Sequence, residues 1–386
     1  MNITHLKRLH SDSLKWRHLV LIALLAIVTA TRLSPALGTF YTTHVYPVIG
    51  RVISPVSGFV PFAIGDIFIF LSIAWAILYP AMKRTKIAVF CVAEYLLWVY
   101  AWFYMAWGLN YSQPNIYQRI NMKPVEVSKT RFKTFAYQYA DSLNKLSEEC
   151  RVKSEECRVK SEGCRVKSEE SKLLRKKGNY YEEKVKCEES ILKGYYRIGG
   201  CGINAPFNHH PHVKTMVFSW LSSMAGITGS MGPFFCEFTL NSDLRHHEYP
   251  ATYAHEFAHF LGVANEGEAN FYSYLVCTAS SDMAVRFSGY YSIFFHVVND
   301  VFDILGEKEG TAFLKHIRPE IIQLAKSDRR YWLSKRSKVI NAAQDIMLDL
   351  YLRGNNVAAG RKSYSQVIAL ILAWENKKTH FPNSYR

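Results

Sequence analysis

Two histidines and a glutamate stand at a spacing that could bind and use a metal ion. His255, Glu256 and His259 form the pattern His-Glu-x-x-His. On an α-helix, positions four apart lie one turn apart on the same face. Two imidazoles can then hold one Zn²⁺, while the adjacent carboxylate reaches a water molecule on the metal. The spacing therefore predicts a zinc site with Glu256 as the catalytic base.

A catalytic zinc site needs three protein ligands and an open position. Gly262 can end the first helix in the left-handed conformation, so that the chain reverses and a second helix begins near Asn265. The first turn of that helix can bring Glu268 back to the metal, and we predict Glu268 as the third ligand, with Glu266 as second choice. The competing role for Glu268 is a capping box, in which Asn265 is the N-cap.

The whole motif has a second interpretation, an amphipathic core helix whose histidines are hydrogen-bonded and free of metal. Phe257, Ala258 and Leu261 already give this helix a packing face. The polar face then needs another reason to carry two histidines and a glutamate together, which favours the metal site.

The elements around the motif indicate how it is positioned. Before it, residues 215–221 and 234–240 flank a glycine-rich stretch, which predicts a β-hairpin. An edge strand beside the zinc helix could hold an extended peptide by main-chain pairing, although a small sheet could equally serve only the core. After the motif, amphipathic helices are expected at residues 301–305, 340–351 and 367–374.

The composition is unevenly distributed along the chain. Of 386 residues, 49% are hydrophobic and the net charge is +15. The first 108 residues hold nine Lys or Arg and three Asp or Glu, and the remaining 278 hold 38 and 29. Apolar runs at about 18–37, 60–82 and 87–110 approach the ~20 residues that cross a bilayer. Three transmembrane helices are therefore predicted, which excludes a purely soluble protein.

Basic residues predict the orientation of these helices. Lys83, Arg84 and Lys86 separate the second and third runs, and the N-terminus is also basic. Basic flanks stay in the cytoplasm, so residues 1–110 form a membrane domain and residues 111–386 an extracytoplasmic domain. The pI of about 9.3 would suit nucleic-acid binding, but the outer location excludes that partner.

Residues 147–170 repeat a seven-residue unit, Ser-Glu-Glu-Cys-Arg-Val-Lys. The Cys and Val positions are two apart, whereas a coiled coil needs apolar spacings of three and four. We interpret this heptad-repeat insertion as a solvated helix or mobile segment without chemistry. The cysteines form no Cys-x-x-Cys pair, so a cysteine-based zinc site is not supported.

Together these stretches resemble a family of bacterial membrane proteins known as domain of unknown function 3810, and through it the gluzincin-type zinc metallopeptidases. The resemblance rests on the His-Glu-x-x-His motif, on Glu-x-Glu-Ala-Asn at 266–270, and on looser matches at 107–111, 232–241, 288–291 and 363–368. It implies a mainly α fold: three N-terminal transmembrane helices, then a zincin-like α+β metallopeptidase domain with a small β-hairpin or sheet. It also implies that Glu268 is the third ligand.

The implied function is hydrolysis of peptide bonds by a zinc metallopeptidase at the outer side of the bacterial cytoplasmic (inner) membrane. Its partners would be the lipid bilayer and a peptide or protein substrate. The alternative is a non-catalytic, zinc-containing, membrane-anchored binding or sensor module. A fourth protein ligand, such as His246, would favour that alternative.

Overall fold

The computed structural model describes residues 3–126, 128–162, 169–207, 213–338, 340 and 366–380. The fold is mainly helical. The α-helices, in chain order, are α1 Ile3–Leu33, α2 Pro35–Phe40, α3 Tyr46–Gly58, α4 Ile64–Lys83, α5 Lys86–Ala106, α6 Ile116–Arg119, α7 Lys129–Glu162, α8 Glu169–Ile198, α9 Ser219–Ala225, α10 Tyr249–Phe260, α11 Glu266–Thr278, α12 Met283–Ser292, α13 Phe294–Asp300, α14 Glu307–His316, α15 Pro319–Lys335 and α16 Gln366–His380. The remaining elements are π-helical turns Tyr41–Val45 and Val301–Leu305, a 3₁₀ turn Gly108–Ser112, and strands β1 Val213–Thr215, β2 Gly229–Gly232 and β3 Glu237–Leu240.

Three helices near the N-terminus are long and apolar enough to cross a membrane, as predicted: the Trp16–Leu33 part of α1, then α4 and α5. The first ends at Leu33, before the predicted end. Ser34 starts α2 there, because its hydroxyl accepts a hydrogen bond from the Leu37 N–H and Pro35 occupies the first turn. The third ends at Ala106, where the chain tightens into the 3₁₀ turn.

The small sheet has the strand order β1-β3-β2. Its existence confirms the predicted hairpin or sheet, but the elements are arranged differently from the prediction. Residues 219–221 belong to helix α9, and Gly229 and Gly232 lie within strand β2 rather than in a turn. Gly226 ends α9 with a φ of 75°, a conformation that glycine adopts without strain.

The chain divides into two compact units. The first comprises Met1–Asn115, Phe207–Val217 and Met231–Thr239, and the second comprises Ile116–Pro206, Phe218–Ser230 and Leu240–Arg386.

In the first unit, a buried ion pair fixes the beginning of α4. The Lys214 ammonium donates to Glu237 Oε2 at 2.6 Å and to the Ser57 carbonyl at 2.7 Å. The other carboxylate oxygen of Glu237 accepts from the Gly65 N–H at 2.6 Å. Both charged side chains are almost fully buried. Buried charges are tolerated when paired and hydrogen-bonded, as they are here.

In the second unit, α10, α11 and α12 surround a core of aromatic side chains. Its large, fully buried members are Tyr195, Tyr253, Tyr272, Phe257, Phe260 and Phe271. Helix α16 adds seven buried residues between Val367 and Trp374, and the helix predicted there is confirmed. Residues 301–305 form a π-helical turn, and residues 341–351 lie outside the described residues. Residues 147–162 of the repeat continue α7, whereas 163–168 are not described.

Candidate metal centre

Helix α10 carries the two histidines in the predicted arrangement. His255 and His259 lie one turn apart, with ring centroids 4.7 Å from each other. Phe257 and Ala258, which lie between them in sequence, are fully buried. The apolar face therefore fixes the rotation of the helix, and its polar face holds both imidazoles side by side.

The chain reverses directly after the second histidine. Gly262 has a φ of 96°, and the Val263 N–H donates back to the Ala258 carbonyl at 3.1 Å. Asn265 then caps α11, because its Oδ1 accepts from the Glu268 N–H at 3.0 Å. The predicted glycine turn is confirmed, and Asn265 is the N-cap that the competing interpretation had named. They bring the start of α11 back beside α10.

Three electron-pair donors meet at this reversal. The Nε2 atoms of His255 and His259 are 3.1 Å apart. Glu266 Oε2 lies 3.1 Å from Nε2 of His255 and 3.5 Å from Nε2 of His259. In tetrahedral zinc with bonds of about 2.0–2.1 Å, ligand atoms are about 3.3 Å apart. The donor types and their separations therefore fit a zinc ion.

The opposite ring nitrogens are held by acceptors. His255 Nδ1 lies 2.8 Å from Asn270 Oδ1, and His259 Nδ1 lies 2.6 Å from the Val263 carbonyl oxygen. A carbonyl oxygen only accepts, so Nδ1 carries a proton in both rings, and the two Nε2 atoms face each other where one cation, a proton or a metal ion, can lie between them. This is the outer support that metal-binding histidines require.

The charges in the cluster are strongly coupled. Burial opposes charge on His259, but Glu266 outweighs it and raises the pKa of His259 to about 9. Burial likewise opposes ionisation of Glu266, but the two histidines hold the pKa of that carboxyl below its usual range. Glu266 is thus ionised, and a metal ion bound here would compete with a proton for the same Nε2 atoms.

Glu256 is buried beside this cluster and lies against the backbone of β2. A Cβ atom added to Gly229 would be 2.4 Å from Glu256 Oε1. Burial raises the pKa of Glu256, and the neighbouring histidines oppose that change. Among the described residues, none donates a hydrogen bond to this carboxylate. It therefore keeps the acceptor capacity that a general base needs.

The structure places Glu268 away from the histidines. Its Oε1 accepts from the Ile116 N–H at 2.8 Å, and its Oε2 accepts from Arg119 at 2.6 Å. Residues two apart on a helix point about 200° apart, so only one of Glu266 and Glu268 can face α10. The structure brings Glu266, the second choice of the sequence, to the histidines. Glu268 also does not complete the capping box, since its carboxylate is used elsewhere.

A second group of potential ligands comprises His247, Glu248 and Asp328. The atoms that could bind a metal ion in this group already form hydrogen bonds with protein side chains. Asp328 accepts from Arg245, His247 and Tyr291, and Glu248 accepts from Trp332. With an arginine bound to its central carboxylate, this group is a hydrogen-bond network and not a cation site.

Three residues that support the candidate centre were not predicted from the sequence: Asn270, Val263 and Gly229. Asn270 belongs to the Glu-Ala-Asn run, whose spacing from His255 gave no sign of contact. Val263 acts through its carbonyl, which has no sequence signature. Gly229 contributes by lacking a side chain. Its role was not predicted because a glycine-rich segment is typical of a turn.

The geometry predicts which glutamate retains metal. Glu266→Gln should lower the zinc content of the purified protein, because the cluster loses its ionised ligand. Glu268→Gln should keep zinc but lower the free energy of unfolding by about 3–5 kcal/mol, because Arg119 loses its buried partner. Elemental analysis and denaturant unfolding measure the two effects. Loss of zinc in Glu268→Gln alone would restore Glu268 as the ligand.

One comparison with known proteins identifies a family. The family described as "Protein of unknown function (DUF3810)" matches residues 41–372, which include the whole metal centre. No curated protein and no solved structure matches the chain. Since the match covers most of the sequence, the chain belongs to the DUF3810 family of proteins of unknown function.

Proposed function

We propose that this protein is a membrane-anchored, zinc-dependent metallopeptidase. The observation that carries the proposal is the convergence of Nε2 of His255, Nε2 of His259 and Oε2 of Glu266, beside the unshared carboxylate of Glu256. Ligands and base on one polar face are what metal-assisted hydrolysis requires.

The number of ligands favours an enzyme over a non-catalytic zinc module. Among the described residues, the group contains three ligand atoms and no fourth His, Cys, Asp or Glu. His255 and Glu266 also remain 16% and 21% exposed, which leaves a route for solvent and substrate. A structural zinc site is closed by four protein ligands, whereas a catalytic one keeps a position open.

Each residue of the site has a separate role in the proposed hydrolysis. His255, His259 and Glu266 would hold a zinc ion, which would supply Lewis-acid chemistry for a scissile carbonyl and for water. Glu256 accepts the proton of the attacking water and delivers it to the leaving amine. Asn270 and the Val263 carbonyl hold the histidine rings in the tautomer that binds metal. Gly229 allows the Glu256 carboxylate to lie against the backbone of β2.

The position of β2 supports a peptide as substrate. In the order β1-β3-β2 this strand lies at the edge of the sheet, and its first residue, Gly229, packs against Glu256. Its second residue, Ser230, is exposed. An extended peptide can pair with the main chain of an edge strand. A peptide paired with β2 would have one of its peptide bonds close to the Glu256 carboxylate.

Glu256→Gln should lower peptide hydrolysis by about 100-fold or more, because the amide cannot accept the proton of water. Zinc content should not change, since Glu256 is not a ligand. The assay is mass spectrometry of a peptide mixture incubated with the full-length protein in detergent. Undiminished cleavage by this variant would exclude Glu256 as the base.

Gly229→Ala should also lower hydrolysis while zinc is retained. The added methyl group would stand 2.4 Å from Glu256 Oε1, so the carboxylate must move away. Ser230→Ala is the matched control on the same strand and should keep wild-type activity. If both variants cleave peptides as fast as the wild type, Gly229 does not position the base.

We further propose that α1, α4 and α5 anchor the protein in the cytoplasmic membrane, with residues after Ala106 on the outer side. Support comes from the three apolar helices and from the basic residues between α4 and α5. Basic connections remain in the cytoplasm. The metal centre would then act on extracytoplasmic peptides.

The orientation of the protein can be measured in sealed membrane vesicles prepared right side out and inside out. Protease added to right-side-out vesicles should remove α10 and α11, whereas in inside-out vesicles these helices should be protected. The reverse pattern would place the metal centre in the cytoplasm.

A further inference from the structure

Helix α3 has its apolar side facing out and its small and polar side facing in. Val48, Val52, Val56 and Phe59 are between 54% and 88% exposed. At about 100° per residue these four positions fall within an arc of about 80°. They form one apolar stripe, which we call the valine stripe.

The opposite side of α3 is buried in the first unit. Gly50, Ser54 and Ser57 are buried there, together with Tyr46. A Cβ on Gly50 would lie 2.3 Å from the Phe207 ring, and the Tyr46 ring meets Phe207 edge-on at 5.7 Å. The inner face is thus occupied by protein. A helix that turns valines outward and serines inward is suited to apolar surroundings outside it.

The position of α3 in the chain indicates what those surroundings are. It lies between α1, which ends at Leu33, and α4, which begins at Ile64. Both are among the helices able to cross a membrane, so two consecutive crossings hold the segment between them at one membrane face. Helix α3 has 13 residues, about 20 Å in length, and cannot span a core of about 30 Å.

Flanking residues match an interfacial position. Arg51 is exposed beside the valine stripe, and none of the residues that the structure describes pairs with its guanidinium. A long basic side chain can reach lipid phosphates while its helix rests in the interface. Phe59 and Phe62, which are 88% and 48% exposed, lie just before α4 begins. Apolar rings at that depth would enter the outer part of the hydrocarbon.

We propose that α3 is an in-plane helix, with the valine stripe sunk into the surface of the lipid bilayer. The proposal rests on α1 and α4 crossing the membrane and is independent of the metal centre. The occupant of the stripe is lipid, because the stripe is bounded at both ends by helices suited to the same lipid. In this position α3 ties the buried Ser57 carbonyl, and through it Lys214 and Glu237, to a fixed membrane depth.

The test uses the full-length protein in vesicles of anionic and zwitterionic phospholipids. Dansylalanine is placed at Val52, and in a second protein at Val56, in case one position disturbs folding. Lipids brominated near the headgroup or near the chain end then report depth by quenching. Shallow bromines should quench both positions more than deep bromines do.

Two positions calibrate the result. Dansylalanine at Ile73, in the middle of α4, should be quenched most by deep bromines. Dansylalanine at the exposed Lys315 of α14 should be quenched by neither brominated lipid. If Ile73 is quenched and positions 52 and 56 are not, the stripe does not face lipid. If Ile73 itself is unquenched, α4 does not cross the membrane and the proposal is also overturned. Neither result bears on zinc binding, which is measured separately.

Discussion

The candidate metal centre depends on the repulsion among three electron-pair donors that are made to face one another. His255 and His259 present Nε2 lone pairs 3.1 Å apart, and the Glu266 carboxylate closes the third side. Such an arrangement is unfavourable unless a cation or a proton lies among the donors. Much of the surrounding structure serves to keep them in place. Asn270 and the Val263 carbonyl fix the rings, and Gly262 allows the reversal that delivers Glu266.

The buried pair of Glu268 and Arg119 has a different role in the same region. Glu268 lies in the first turn of α11 and binds both the Arg119 side chain and the Ile116 N–H. These bonds anchor the short helix α6 against α11. They occupy the side of α11 that is about 200° away from Glu266, so Glu268 stabilises the fold and takes no part in the histidine cluster.

Glycine at two positions of β2 allows carboxylates to approach the backbone. Gly229 makes room for Glu256, and Gly232 lies against Glu237, where an added Cβ would be 2.9 Å from Glu237 Cγ. Both carboxylates are buried, but Glu237 is bonded to Lys214, whereas Glu256 lies beside the histidines without a hydrogen-bond donor among the described residues. The glycine-rich segment was expected to be a turn because glycine favours turns in general. Here its function is the absence of side-chain volume beside two charged groups.

Local sequence patterns predict the features that depend on neighbouring residues. These include the three apolar helices, the placing of His255 beside His259, the reversal at Gly262 and the Asn265 cap, because each follows from hydropathy or from contacts within one or two turns. Contacts between distant parts of the chain decide the strand positions, the outward-facing valines of α3, and the choice of Glu266 over Glu268. That choice depends on how α11 is rotated against α10. Arg119 and Ile116, about 150 residues earlier in the chain, bind Glu268 on the side of α11 away from the histidines, and no local pattern encodes a contact over that distance.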